Sequence, residues 1–190
     1  MAYFRKIVGE RLYLSPFDAE DADIHTKWAK WMNDRAVSDT FDGYKNHTSL
    51  SGAKELVQEL KGYRYFIILM DGDELIGQIS LHDIDHLNRH AFLGIMIGEV
   101  EHHGKGYGTE AVRLVLDYGF NTLNLHNIML SVHEDAHAAI ACYKKVGFKE
   151  SGRRREWIFK NGNYYDVLYM EILACEYVKN TQEETHGRNH

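Results

Sequence analysis

"HHGKGYGTEA", residues 102–111, sets Gly104, Gly106 and Gly108 on alternate positions, directly ahead of a segment that reads as a helix from Thr109 to about Phe120. A bare loop feeding a helix N-terminus offers exposed backbone N–H groups and the positive end of a helix dipole, and both favour an anion. Two apolar strands flank it, "HAFLGIMIGE" (90–99) before and "NIMLSV" (127–132) after. The spacing excludes two common nucleotide loops. A Walker A loop needs G-x-x-x-x-G-K followed by Ser or Thr, whereas Lys105 lies between the glycines. A dinucleotide fingerprint needs G-x-G-x-x-G and an acid roughly 20 residues on; here the spacing is G-x-G-x-G, and "NLHNIML" holds no acid.

Working outward, "RLYLSPF" (11–17) alternates like a strand and stops at the only proline, Pro16. "DAEDADIHTKWAKWM" then spaces Ala22, His25, Trp28 and Met32 along one helical face, with Asp18 as candidate N-cap. Residues 33–50 read as a polar and aromatic loop, and "SLSGAKELVQELK" as a second helix capped by Ser49 or Ser51. "YRYFIILM" (63–70) and "ELIGQISLHDI" (74–84) flank the turn "DGD" as a hairpin. In the strand 90–99, Gly94 marks a bulge or a close backbone approach. A helix from about Ala136 to Val146 ends at Gly147, and strands near 148–159 and 164–173 meet at the turn "KNGN". The order is that of an α/β (α+β) protein with a single sheet and helices on its faces. Residues 1–178 are expected to form one domain and 179–190 a disordered tail.

Composition narrows the setting. Of 190 residues, 44% are hydrophobic and 26% charged, as in ordinary globular chains, and no apolar run approaches the roughly 20 residues of a membrane span. Two cysteines, Cys142 and Cys175, suggest no disulfide framework, so a cytoplasmic home is expected. The net charge of −6 argues against nucleic-acid binding, which runs on excess Lys and Arg. Acids cluster between Asp18 and Asp42 and again between Asp71 and Asp85, a bias towards a cationic partner.

With these residues in view, the chain resembles the GNAT superfamily of acyl-CoA-dependent N-acyltransferases. Its signature Q/R-x-x-G-x-G/A is matched by "HGKGYG", with His103 in first place and Gly106 and Gly108 at the glycine places. "AAIACYKKVGFKESG" is similar to the family's A-I-x-x-Y-x-K-x-G-F segment, and "GERLYLSPFDAEDAD" to its N-terminal opening. "EWIFKNGNYYDVLYMEI" is similar to the closing hairpin of two branches, the ribosomal-protein alanine N-acetyltransferases and the spermidine/spermine N-acetyltransferases. The resemblance implies a single mixed, mostly antiparallel sheet with helices on both faces. It implies acetyl-CoA as acyl donor, no metal, and by analogy a homodimer. Backbone N–H groups of His103, Gly104, Lys105, Gly106, Tyr107, Gly108 and Thr109 would cradle the CoA pyrophosphate, with Lys105 adding charge at the rim. The strand near Met96 and Ile97 would pair with the pantetheine arm in a gap before "NIMLSV". His103 stands where Arg or Gln is usual, and Ala136 where Asn is common.

The chemistry implied is direct attack of an amine on the acetyl thioester, with Tyr143 as the acid for the departing thiolate and a backbone N–H near Met96 or Ile97 for the oxyanion. His82, Asp83, His90, Glu99 and His133 lie near strand ends by the cleft, and none is singled out as base. An acidic, partly aromatic rim of Trp31, Asp34, Asp39, Asp42, Asp83 and Asp85 suits an alkylammonium or a protein N-terminus. Two other readings stay open: a CoA-binding module without catalysis, and a nucleotide-binding switch.

Overall fold

The computed structural model describes residues 3–39, 41, 48–60 and 62–177. In chain order the elements are β1 (Ile7–Val8), β2 (Leu12–Pro16), α1 (Ala22–Asn33), α2 (Arg35–Ser38), α3 (Leu50–Glu59), β3 (Tyr63–Leu69), β4 (Leu75–Asp85), β5 (His90–Ile97), α4 (Tyr107–Asp117), β6 (Asn127–His133), α5 (His137–Val146), β7 (Lys149–Lys160) and β8 (Asn163–Leu173). A 3-10 turn, Val100–His102, precedes α4, and a π turn, Tyr118–Thr122, follows it.

The strands form one eight-stranded sheet in the order β1-β2-β3-β4-β5-β6-β8-β7. Every neighbouring pair is antiparallel except β5 and β6. The sheet is therefore mixed and mostly antiparallel. Leu12, Ile79, Leu93 and Ile128 face α4 and α5, where Val112, Leu116 and Val146 complete one core. Tyr13, Phe66, Ile68 and Met96 face α1 and α3, where Ile24, Trp31 and Val57 complete the other. Both faces of the central strands are covered, which is why β3 reads as a continuous apolar run.

Local chemistry sets the connections. Gly72 and Asp73 have φ of 76° and 50°, the mirror-image turn that matches strand twist between β3 and β4. Asn161 and Gly162, at 53° and 79°, repeat it between β7 and β8. Gly147, with φ 114°, closes α5. Ser49 caps α3 by accepting from Gly52 N–H at 3.1 Å.

Three expectations need correction. Asp21 rather than Asp18 caps α1, accepting from Asp23 N–H at 2.8 Å, while Asp18 accepts from Glu20 N–H in the preceding turn. The segment after α1 is not all loop, because Asp34 caps the one-turn α2 by accepting from Ala36 N–H. Gly94 marks no bulge: Ser80 pairs with it in continuous register, and the shift falls between His82 and Asp85. A Cβ on Gly94 would meet Ser80 Oγ at 3.3 Å and His82 Nε2 at 3.5 Å, so the glycine makes room for side chains of β4.

The feature that positions the site is the junction of β5 and β6. They pair only at His90–Asn127, Ala91–Ile128 and Phe92–Met129. Both strands run on, to Ile97 and His133, bonded to β4 and β8 on their other sides but no longer to each other. The sheet is open there, with α4 starting beyond the end of β5.

Candidate active site

Leu93 to Ile97 form the β5 wall of this opening. Met96 is buried towards α1, and Ile97 packs partly buried on the α4 side, so what they can offer a ligand in the opening is main chain. At the end of the strand, His103 Nε2 donates to the Ile97 carbonyl at 2.8 Å. A carbonyl only accepts, so this nitrogen carries the hydrogen. His103 thereby ties the glycine loop to β5, a structural use for the residue that departs from the Arg/Gln pattern.

Gly104 and Gly106 adopt φ of 72° and 85°, a region where L side chains are strained, and Gly106 is the N-cap of α4 with no side-chain cap. Glu110 N–H donates to the Gly106 carbonyl at 3.1 Å and so begins the helical ladder. The N–H groups of Tyr107, Gly108 and Thr109 precede that ladder and are the orphan donors of a helix start. Gly108 needs no special φ, and a Cβ there would meet only Ile95 and Ile97, at 3.9 and 4.0 Å. These are ordinary contacts, so what this segment offers an anion is its row of uncapped amides.

Two side chains of the loop are engaged away from its amides. Thr109 Oγ1 donates to Cys142 Sγ at 3.2 Å, joining α4 to α5. Tyr107 packs edge-on against His102 and under Arg11, whose guanidinium carbon lies 4.8 Å from the ring centroid. Lys105 is exposed, and its carbonyl accepts from Arg11 Nη1 at 2.9 Å. The anion-directed groups of this loop are thus main-chain amides.

Tyr143 lies on α5, 7% exposed, with its ring edge-on to Phe148 at 5.8 Å. Burial first, and the neighbouring Cys142 second, push its phenol well above the ordinary tyrosine range. It is therefore held as the neutral phenol. Ala136 is the N-cap residue of α5 and makes no side-chain hydrogen bond; its carbonyl accepts from Ile140 N–H at 3.0 Å.

The expected acidic rim is not assembled as such. Trp31 is 0% exposed and belongs to the core: its ring would lie 2.1 Å from a Cβ on Gly98, and its indole donates to Glu99 Oε1 at 3.3 Å. The helix stripe that buries Trp28 and Met32 buries it too, so it is withdrawn from any substrate surface. Asp34 is half-buried and caps α2. Asp39 pairs with Arg35 at 3.3 Å. Asp83 is exposed and pairs with His82 at 2.9 Å. Asp85 is bound by Asn88, whose hydrogen bonds hold its carboxyl below the ordinary range. Asp42 lies outside the described residues.

Among the acids near the cleft, Glu99 is disqualified as a base. Burial alone would raise its carboxyl, but hydrogen bonds from Lys27 and Lys30 hold it at about 2. Glu74, Glu101 and His102 bring ligand atoms within 4.8 Å of one another, two of the three exposed, and His102 Nε2 lies 3.2 Å from Glu74.

Two side-chain sets escaped the sequence reading. Lys160, 7% exposed at its side chain, donates to Asp135 at 2.6 Å and to the Asp39 carbonyl at 2.8 Å. A lysine inside the aromatic run "WIFK" was the available signal. Arg11 and Glu110, 99 residues apart, form an ion pair behind the loop at 2.9 Å, and no local pattern announces it.

A mixed sheet opened along one parallel pair, with an uncapped helix start behind a glycine loop at its mouth, defines the N-acyltransferase class of fold. The chain belongs to the acetyltransferase (GNAT) domain family, whose model matches residues 11–149. It is similar to the spermidine N(1)-acetyltransferase of Escherichia coli (strain K12), 36% identical over 60% of this chain and 61% of that enzyme. It is 30% identical to the putative ribosomal N-acetyltransferase YdaF of Bacillus subtilis (strain 168), over 80% of this chain and 79% of that one. The crystal structure of spermidine N-acetyltransferase from Vibrio cholerae in complex with CoA and spermine matches with a TM-score of 0.73 at 30% identity, covering 90% of this chain and 99% of that one. The protein is thus a GNAT N-acetyltransferase close to spermidine N-acetyltransferases.

Proposed function

We propose that the protein transfers an acetyl group from acetyl-CoA to a primary amine, carried by a polyamine-like small molecule or a protein N-terminus. The opening between β5 and β6, with the uncapped start of α4 at its mouth, carries this reading. It supplies amides for a pyrophosphate and a free strand edge for the amide-bearing pantetheine arm. Relatives named for spermidine and for ribosomal acetylation support an amine as acceptor.

In this reading the amine lone pair attacks the thioester carbonyl, the C–N bond forms, the C–S bond breaks, and the amine's surplus proton leaves to water. A main-chain N–H of β5 near Met96 or Ile97 faces the developing oxyanion. Tyr143, held as the neutral phenol, gives its proton to the departing thiolate and takes one back through the water that received the amine's. The test is thiol release from acetyl-CoA with spermidine and with peptides beginning in Ala or Ser. Amine-dependent release is expected, and tight acetyl-CoA binding with no such release overturns the enzyme reading. Tyr143→Phe is expected to lower turnover about a hundredfold with acetyl-CoA affinity kept. Equal loss of both would make the tyrosine structural.

A further inference from the structure

The turn between β1 and β2 reaches the far side of the glycine loop. Gly9 N–H donates to the Leu12 carbonyl at 2.9 Å, closing the turn. The turn seats on Glu110, in the first turn of α4: Glu110 Oε1 accepts from the N–H groups of Glu10 and Arg11, both at 2.8 Å. The seat is tight, since a Cβ on Gly9 would come within 2.6 Å of Glu110 Oε1. From this anchored turn the Arg11 side chain spreads over the loop. Nε donates to Glu110 Oε2 at 2.9 Å, and Nη1 donates to the Lys105 carbonyl at 2.9 Å. The guanidinium covers the Tyr107 ring, and Nη2 borders the position where Gly106 lacks a Cβ, at 3.4 Å.

Arg11 therefore touches both ends of a hinge: the carbonyl that precedes Gly106 and the carboxylate one turn into α4. Gly106, at φ 85°, and Gly108 lie between those two points, and without side chains they give the intervening peptides wide freedom. A loop whose amides must converge on one anion loses affinity when that freedom is left unchecked.

We propose that Arg11 is a positioning residue for the pyrophosphate loop, fixing the Lys105–Gly106 peptide against α4 so that the amides of the helix start stay aimed at the donor's phosphates. The proposal rests on the acetyl-CoA reading above. Arg11 acts by geometry, as a planar fork spanning two acceptors, and a lysine ammonium cannot span both.

The test compares binding of CoA and of pantetheine, which lacks the pyrophosphate, to the full chain. Calorimetry serves for CoA and competition for pantetheine, with melting temperature as the fold control. The unchanged chain is expected to favour CoA by about a hundredfold or more. Arg11→Ala is expected to lose about tenfold of that preference, with pantetheine affinity kept. Arg11→Lys is expected to behave like Arg11→Ala. Full rescue by lysine would assign the effect to charge, and equal loss towards both ligands would assign it to general instability; either overturns the proposal, as does an unaltered preference in Arg11→Ala. If the unchanged chain shows no preference for CoA, the pyrophosphate reading itself fails and the proposal with it.

Discussion

Two ammonium groups and an indole converge on Glu99, a carboxylate only 4% exposed at the point where β5 gives way to the loop. A buried carboxylate is ionised only when its partners outweigh desolvation, and here Lys27 at 2.5 Å and Lys30 at 2.7 Å do so. The folded value of about 2 lies below the ordinary 4.5. The folded state thus prefers the ionised form. Its contribution is fully present above about pH 4.5 and fades as pH falls towards 2. Glu99→Gln is expected to cost about 2 kcal/mol at neutral pH, and the gap from the unchanged chain should close between pH 5 and 2. Denaturant titrations across that range check it, and a gap independent of pH would contradict the assignment. The same geometry shows why acid-counting misjudged this region. Glu99 and Trp31 look in sequence like a base and a rim residue, but they satisfy each other and the two lysines.

Between elements, Lys160 makes a long reach. It stands on β7, yet it bonds the carbonyl that ends α2 and the carboxylate that follows β6, while neighbouring Asn161 accepts from Arg35 at 2.8 Å. A four-residue helix has no stability of its own, since nucleation is costly and a single turn recovers little. Docking by the β7–β8 hairpin holds it in place. Lys160→Ala leaves Asp135 unpaired and removes that dock. The expected result is about 3 kcal/mol of lost stability and faster amide exchange at residues 35–39, with exchange in β3 and β4 unchanged relative to the new global stability. Exchange at 35–39 no faster than elsewhere would show that α2 does not depend on the lysine. This dependence explains what the sequence reveals. The β3–β4 and β7–β8 turns were legible because Gly72-Asp73 and Asn161-Gly162 carry their geometry locally. The end of α5 at Gly147 was legible for the same reason. β1, two residues long, and α2, one turn, are fixed by distant partners and show no periodicity. Asp18 and Asp21 both suit a cap, and only the direction of the incoming chain decides between them.

At the scale of the whole molecule, the sheet consists of two antiparallel parts, β1 to β5 and β6 to β8, stitched by the short register from His90–Asn127 to Phe92–Met129 and spanned by the crossover through α4. The strand, the glycine loop and the helix start were legible because they are contiguous in sequence. The acceptor side was not, because Trp31, Asp34, Asp39 and Asp83, which a count of acids and aromatics places on one rim, each take a partner or a place in the core only once the chain is folded. A donor that fills the opening would bind both parts of the sheet at once. Acetyl-CoA at a hundredfold excess over its dissociation constant is expected to raise the melting temperature by about 5–10 °C. Hydrogen exchange should slow together in residues 93–97 and 130–133, at the amides of β5 and β6 that face the opening, and at the start of α4. ATP at the same concentration lacks the pantetheine arm and should leave the two strand ends unprotected. Equal protection by ATP would return the loop to a nucleotide site and remove the reason for the open sheet. Protection by acetyl-CoA at α4 alone would keep the phosphate cradle and refute the strand edge as the seat of the pantetheine.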